Sequence, residues 1–359
     1  MNEIVQEMID WIEEHLKGTF SLDALATHTG YSPYYCSFLF HLEVGMNLRK
    51  YVLLRKLYVS MEALTSNAKI LDVALAYGYS SQEAYSRAFK KVFGCSPAVW
   101  KKQQKPIQSF AKKRLVLEGG TWHLNYAKEV AQLKKQNRLF DDAQVLNIFN
   151  GQMMYDQFHE NQWMGQSDYI PFNEAMCVHE TTMPIFSDAF IQLRAKGHRD
   201  SEKHYREMVV QPFQHRSYEK YAYIVLWFGE DLFCQMNVLT VLAFLEQQSF
   251  RGTVMLNSFR EDEFKVNQMQ VELGHYEAIY DCVLLQHRRP KHTVFPVMYQ
   301  AIEQYMAMLE KENDVTYYIR QHPNLSEEEL IPRLFQVFST LGYGDLQYSE
   351  LIRMVREKL

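Results

Sequence analysis

Twice in its first hundred residues the chain spells the same local pattern: a short apolar-striped helix, a tight turn with glycine, and a second helix opened by serine. In the first copy Ser21 caps a helix whose Leu22, Leu25 and Ala26 face inward. Thr29-Gly30 turns, and Ser32-Pro33 supplies an N-cap followed by proline at the first helical position. The next helix, about Pro33 to Leu42, buries Cys36, Leu39 and Phe40 at i, i+3 and i+4. In the second copy Ile70, Val73 and Ala74 stripe a helix, Tyr77-Gly78-Tyr79 turns, and Ser80 opens a helix burying Tyr85, Ala88 and Phe89. Each copy is a helix-turn-helix, a unit whose second helix enters the major groove of DNA.

Between the copies, Leu48 to Thr65 reads as one helix with Tyr51, Val52, Tyr58 and Met61 as core positions. At 1.5 Å per residue it spans roughly 27 Å, enough to hold two recognition helices about one DNA turn apart on one face. A further helix carrying Ile4, Val5, Met8, Ile9, Ile12 and Leu16 precedes them and stops at Gly18.

With these elements placed, Gly30-Tyr31-Ser32-Pro33-Tyr34-Tyr35, Phe40, Gly45-Met46, Tyr51 and Arg55 resemble the DNA-binding domain of AraC-type transcription regulators. So do Val73-Ala74, Gly78-Tyr79-Ser80, Tyr85-Ser86-Arg87-Ala88-Phe89-Lys90-Lys91, Phe93-Gly94 and Ser96-Pro97. The resemblance covers residues 1 to 102 and implies a seven-helix module laying two recognition helices into successive major grooves. By position it implies DNA contacts from Tyr34, Ser37, Phe38 and His41 on the first, and from Gln82, Glu83, Ser86 and Arg87 on the second. Phe38 either touches a thymine methyl or packs within the protein. Ser80-x-x-Glu83 fits a capping box and Glu83 with Arg87 a helical ion pair, so both charges have an intramolecular reading beside the DNA one. Arg87 is the favoured base contact; Lys90, Lys91, Lys101 and Lys102 are phosphate contacts or solvated charges.

Charge divides along the chain. Residues 1–114 hold 15 Lys/Arg against 10 Asp/Glu, while the remainder holds 23 against 33. A polyanion-binding module joined to a part with another partner fits this split, as does a plain solvated surface. Lys105-Pro106 ends the module, Lys112-Lys113-Arg114 and Gly119-Gly120 read as linker, and Tyr126 to Leu139 as an amphipathic bridging helix. The expected domains are therefore 1–106, a linker over 107–143, and 144–359.

From Val145 the period changes. Val145–Phe149, Ile224–Phe228 and Gly252–Leu256 are short apolar runs separated by helical stretches, the pattern of a parallel sheet covered on both faces, hence an α/β, Rossmann-like fold with a helical extension from about residue 290. This half loosely resembles bacterial domains of unknown function, through Asn150-Gly151, Leu226-Trp227-Phe228-Gly229-Glu230-Asp231-Leu232 and Tyr343-Gly344-Asp345-Leu346-Gln347-Tyr348. Asn150, Trp227, Glu230 and Asp231 are candidate ligand residues because ligands of open α/β sheets bind beyond the carboxyl ends of strands. Asp168 is a further acid that would converge there. The competing role for Asp231 is to cap the helix starting at Leu232.

No nucleotide-binding glycine loop, nucleophile elbow or zinc-protease motif occurs, and no catalytic residue is assigned. Five dispersed cysteines without a C-x-x-C pair point to neither a disulfide framework nor a zinc site, and Cys177 with His179 is too small a cluster for a metal. No cofactor is implied. The longest apolar stretch, Tyr221–Phe228, is far short of a membrane helix, so a cytoplasmic protein is expected. The reading is a DNA-binding transcription regulator, activator or repressor, whose partners are operator DNA, an unidentified small-molecule effector and, as a candidate, RNA polymerase. Its C-terminal domain senses that effector or mediates assembly. The alternative is a DNA-tethered enzyme acting on a nucleotide or metabolite.

Overall fold

A computed structural model describes residues 2–66, 68–115, 130, 143–214, 216–260 and 265–357; the expected bridging helix falls outside them, except for residue 130. The chain forms two compact units. The first joins Met1–Trp122 with Ala307–Leu359, and the second is His123–Met306. Residues 307–359 therefore do not complete a domain running from 144 to 359. They return to the N-terminal module, and the α/β unit is an insertion within it.

The module consists of α1 (Asn2–Glu14), α2 (Leu22–Thr29), α3 (Pro33–Val44), α4 (Leu48–Thr65), α5 (Ile70–Ala76), α6 (Gln82–Phe93) and α7 (Pro97–Gln103). Polar side chains cap α2, α3 and α4: Ser21 Oγ accepts from the Ala24 amide at 3.2 Å, Ser32 Oγ from Tyr35 at 3.2 Å, and Asn47 Oδ1 from Lys50 at 2.8 Å. Ser81, not Ser80, opens α6, its Oγ accepting from the Ala84 amide at 3.2 Å. The expected box fails by one residue, because position 84 carries alanine where the return bond would need a side-chain acceptor.

Two apolar cores lie at either end of α4. One collects Val5, Ile9, Leu25, Cys36, Phe40 and Tyr51. The other collects Leu57, Met61, Val73, Tyr85, Phe89 and Trp100. Two buried cations of α4 anchor these halves, and the second of them joins the two. Arg55 forks onto Glu13 with Nε and Nη2 both at 2.7 Å, and donates to the Phe110 carbonyl. Lys56 Nζ reaches the Gly18 carbonyl of the first half and the Tyr77 carbonyl, at 3.2 Å, of the second. At the same seam the Gly18 amide donates to the Ala76 carbonyl at 2.8 Å. Gly78, at φ +79°, lies so close that a Cβ would stand 2.0 Å from the Gly18 oxygen.

The segment after α7 is a strap rather than a free linker. Ile107 enters the second core, and the Phe110 ring lies 5.7 Å from that of Tyr51. Over it close α14 (Asp314–Gln321), α15 (Glu327–Val337) and α16 (Asp345–Arg356). Lys113 Nζ donates to the Gln336 and Val337 carbonyls at 3.1 and 2.9 Å, capping the end of α15, and Gln108 Nε2 to the Thr340 carbonyl at 3.0 Å. The Tyr343–Tyr348 motif turns out to be the start of α16, where the Gly344 amide donates to Gln347 Oε1 at 2.8 Å.

The inserted unit is built on a five-stranded sheet of order β2-β1-β3-β4-β5. The strands are β1 (Val145–Asn150), β2 (Asp168–Phe172), β3 (Tyr223–Gly229), β4 (Thr253–Arg260) and β5 (Lys265–Val271). The first four in spatial order are parallel, and β5 runs antiparallel to β4. The expectation of a wholly parallel sheet is corrected there: the four residues separating β4 from β5 are too few for a crossover. β2 was not anticipated because it contains Pro171, which an edge strand tolerates. The helices α8 (Gln152–Glu160), α9 (Asp188–Gly197), α10 (Glu202–Tyr205), α11 (Leu232–Gln247), α12 (Tyr276–Tyr280) and α13 (Pro296–Met308) complete the chain.

The seam yields a direct test. Gly78→Ala should destabilise the protein by on the order of 3 kcal/mol, combining a side chain in the left-handed region with a backbone clash. Thermal unfolding of the full chain, compared with a neutral exposed substitution such as Glu62→Ala, measures it.

Candidate nucleic-acid interface

On α3, Tyr34, Phe38 and His41 recur at i, i+4 and i+7 and so share a face with Ser37. Tyr34 is 82% and Phe38 44% exposed, while Ser37 and His41 are half-buried. Phe38 therefore presents its ring outward instead of joining the core beside it. His41 differs from the expectation of a free reader: its ring stacks on Tyr317 of α14, with centroids 4.5 Å apart and planes 12° apart. Burial lowers its pKa, with Asp314 opposing and Lys50 adding to that shift. The stripe is aromatic and neutral, and α3 contains no lysine or arginine.

α6 is built the other way. Gln82, Glu83, Arg87, Lys90 and Lys91 are exposed, and Ser86 is half-buried among them. Tyr85 and Phe89 anchor the opposite face, Tyr85 with its hydroxyl 2.8 Å from Ser60 Oγ. Glu83 sits in the first turn, where the backbone amide and the Ser81 hydroxyl hold its carboxyl below the usual range, with a smaller contribution from Arg87. Lys101 is not a free phosphate ligand, since its Nζ donates to the Ala68 carbonyl at 2.8 Å.

In the inserted unit, β1 and β3 are the neighbours at which strand order reverses. α8 covers the sheet face bearing Phe149 and Trp227, through Phe158 at ring distances of 4.7 and 5.0 Å. α11 meets Asn150 on the other face. The strand ends thus bring Asn150 and Asp231 to the same residue, Cys234 in the first turn of α11, whereas Glu230 turns toward β5. Asn150 Oδ1 accepts from Asn237 Nδ2 at 2.9 Å, and its Nδ2 donates to Cys234 Sγ at 3.0 Å. Asp231 caps α11, its Oδ1 accepting from the Cys234 amide at 2.8 Å. Glu230 is buried, 3.4 Å from Asn267 Nδ2.

Trp227 does not join them. It is fully buried on the opposite face, donating from Nε1 to Asn147 Oδ1 at 2.8 Å, because strand alternation separates it from Asn150. Asp168 begins β2, at the other end of the sheet, and binds Lys220 Nζ at 2.8 Å.

Sequence reading missed the polar group beside this crevice. Glu174, two residues past β2, is fully buried and grips Arg194 of α9 through Nε at 2.8 Å and Nη2 at 2.5 Å. Tyr205 Oη donates to it at 2.5 Å, and His198 Nε2 lies 3.1 Å away. The Arg194 guanidinium also serves the carbonyls of Ala175 and Val178 at 3.0 and 2.7 Å. Asn237 fixes the same loop, donating to the Glu174 carbonyl at 2.6 Å and accepting from the Met176 amide at 2.9 Å. Burial alone would raise the Glu174 pKa; Arg194 and His198 hold it far below the carboxylate range. The Cys177 thiol is pushed strongly up by burial and by Asp231. No motif announces this group, whose members are up to 63 residues apart in the chain.

A helix-turn-helix domain family matches residues 25–103. The HTH-type transcriptional activator AarP of Providencia stuartii is 34% identical over 101 residues, covering 28% of this chain and 75% of that one. The uncharacterized HTH-type transcriptional regulator YbfP of Bacillus subtilis (strain 168) is 28% identical over 174 residues, 45% of this chain and 59% of its own length. A solved AraC-type DNA-binding-domain regulator from Chromobacterium violaceum aligns with 28% of this chain and 92% of its own, at 24% identity and a TM-score of 0.27. The chain belongs to the AraC-type family of helix-turn-helix, DNA-binding transcription regulators. Among the described residues no helix is long and apolar enough to cross a membrane.

The buried carboxylate makes two predictions about stability. Arg194→Met strands an unpaired charge and should cost about 3–5 kcal/mol at pH 7, read by thermal unfolding of the full chain. Because the folded pKa of Glu174 is depressed, its contribution is complete above the ordinary carboxylate range, roughly pH 4–5, and is lost as pH falls toward the folded value. Glu174→Gln should flatten that acid limb.

Proposed function

We propose that α3 and α6 read two adjacent major-groove segments of an operator, and read them unequally. The observation that carries this is the contrast between their exposed faces. α6 offers Arg87, able to fork onto a guanine, with Lys90 and Lys91 near enough along the helix for backbone phosphates. α3 offers Tyr34, Ser37 and Phe38, suited to thymine methyls and groove shape. Arg87→Ala should lose about 1–3 kcal/mol and relax base preference at one position, whereas Lys90→Ala should weaken all sequences alike and flatten the salt dependence. Equal, sequence-blind losses from both substitutions would remove Arg87 from base reading.

The inserted unit, on the same reading, is a sensor that binds a small molecule where β1 and β3 end, near Asn150, Glu230 and Asp231. Support comes from the strand reversal at that point and from the rigid loop after β2 that borders it. The carboxylates and the thiol there argue for binding without turnover. Asp231 caps a helix, Glu174 is neutralised by arginine, and Cys177 is held as a thiol. Thermal shift of the full chain against a metabolite panel tests this, with Asp231→Asn as a variant that keeps the cap but removes the charge. A hit that Asp231→Asn and Asn150→Ala bind as tightly as the parent chain places the site elsewhere. A hit consumed over many turnovers makes the unit an enzyme.

A further inference from the structure

The first reader is poor in charge, and the returning helices occupy the charge beside it. With no lysine or arginine on α3, a basic group next to its reading stripe is Lys50, in the first turn of α4. Its Nζ lies 2.8 Å from Asp314 Oδ2, both side chains about half exposed. Tyr317, three residues on and so on the same face of α14, stacks flat against His41. Behind this contact the end of α3 is tightly packed: a Cβ on Gly45 would stand 2.4 Å from Val337 and 2.9 Å from Phe338. α14 and α15 thus sit on the last turn of the recognition helix, at the end of the Tyr34–Phe38–His41 stripe.

A lysine neutralised by a carboxylate has little to offer a phosphate, and the carboxylate itself repels one. We infer that α14 is an internal competitor for DNA at the first reader: Asp314 takes Lys50 from the backbone phosphates, and Tyr317 takes the His41 edge of the reading face. This rests on α3 being a DNA reader. The effect is graded, because an exposed ion pair is weak and shifts an equilibrium a few-fold. The chain re-enters the first unit at Ala307, seven residues before Asp314, so the segment that follows the inserted unit is the one that holds the competitor. A ligand of the inserted unit that prefers one placement of this segment would therefore change affinity at the first half-site.

The test uses the full chain and a duplex recovered from random-sequence DNA by binding to that chain. Asp314→Asn leaves the start of α14 intact, since Asn313 and Thr316 form its capping box. Expected are about three- to fivefold tighter binding at low salt, a log Kd against log salt slope steeper by roughly 0.9 for the one phosphate that Lys50 then neutralises, and stronger hydroxyl-radical protection of the half-site that does not depend on Arg87. Adding Lys50→Ala to Asp314→Asn should cancel the tighter binding. Unchanged or weaker binding with an unaltered slope overturns the inference, as does tighter binding that survives loss of Lys50. Footprints showing one half-site in every variant, with Arg87→Ala still losing base preference, would overturn it by removing the first reader itself.

Discussion

One buried ammonium sets the geometry on which the rest of the DNA-binding unit depends. Lys56 lies inside the long helix α4, where burial lowers its pKa, and its Nζ is answered by carbonyls from both helix-turn-helix halves. A cation in such a place is tolerated because the backbone oxygens of Gly18 and Tyr77 replace water. Those oxygens converge because Gly78 lacks a side chain and lets the two turns touch. Two small cores could otherwise swivel about a single helix. Bonds crossing the seam make their relative orientation a property of the fold, and with it the spacing of α3 and α6.

A second buried charge plays the corresponding part in the inserted unit. Arg194 satisfies Glu174 and four carbonyls of the segment after β2, and Asn237 ties that segment to α11. The loop is thereby held by polar bonds as well as by packing. A fully satisfied buried network of this kind rigidifies its surroundings, whereas losing one member leaves an uncompensated charge. Its position beside Asn150 means that the wall of the proposed ligand crevice is preorganised.

The two readers differ for a reason that lies outside both helices. α6 carries exposed basic residues in its last turn, while α3 ends beneath helices that arrive from the far end of the chain. An insertion architecture makes this economical. Since the α/β unit interrupts the DNA-binding unit, the segments on both sides of the insertion, the strap through Lys113 and the returning helices, bond to each other.

How much of this was legible in the sequence follows from how local each feature is. Helices α2, α3, α4 and α6 announced themselves through caps, glycine turns and 3.6-residue stripes, since those signals act over a few residues. The strand ends at Asn150 and Asp231 were visible for the same reason, as was the capping role of Asp231. Ser80 was mistaken for Ser81 because neighbouring serines offer the same cap, and the first turn of the folded helix selects between them. Trp227 looked like a pocket wall until strand alternation placed it on the opposite face from Asn150. The Glu174–Arg194 pair, the Lys56 seam and the Tyr317–His41 stack join residues far apart in the chain. Sequence by itself determined the helices, the two helix-turn-helix units and the α/β character, because each is dictated by local propensity and periodicity. Only the tertiary structure decided that residues 307–359 belong to the DNA-binding unit, because long-range burial and pairing of charges arise when distant segments meet.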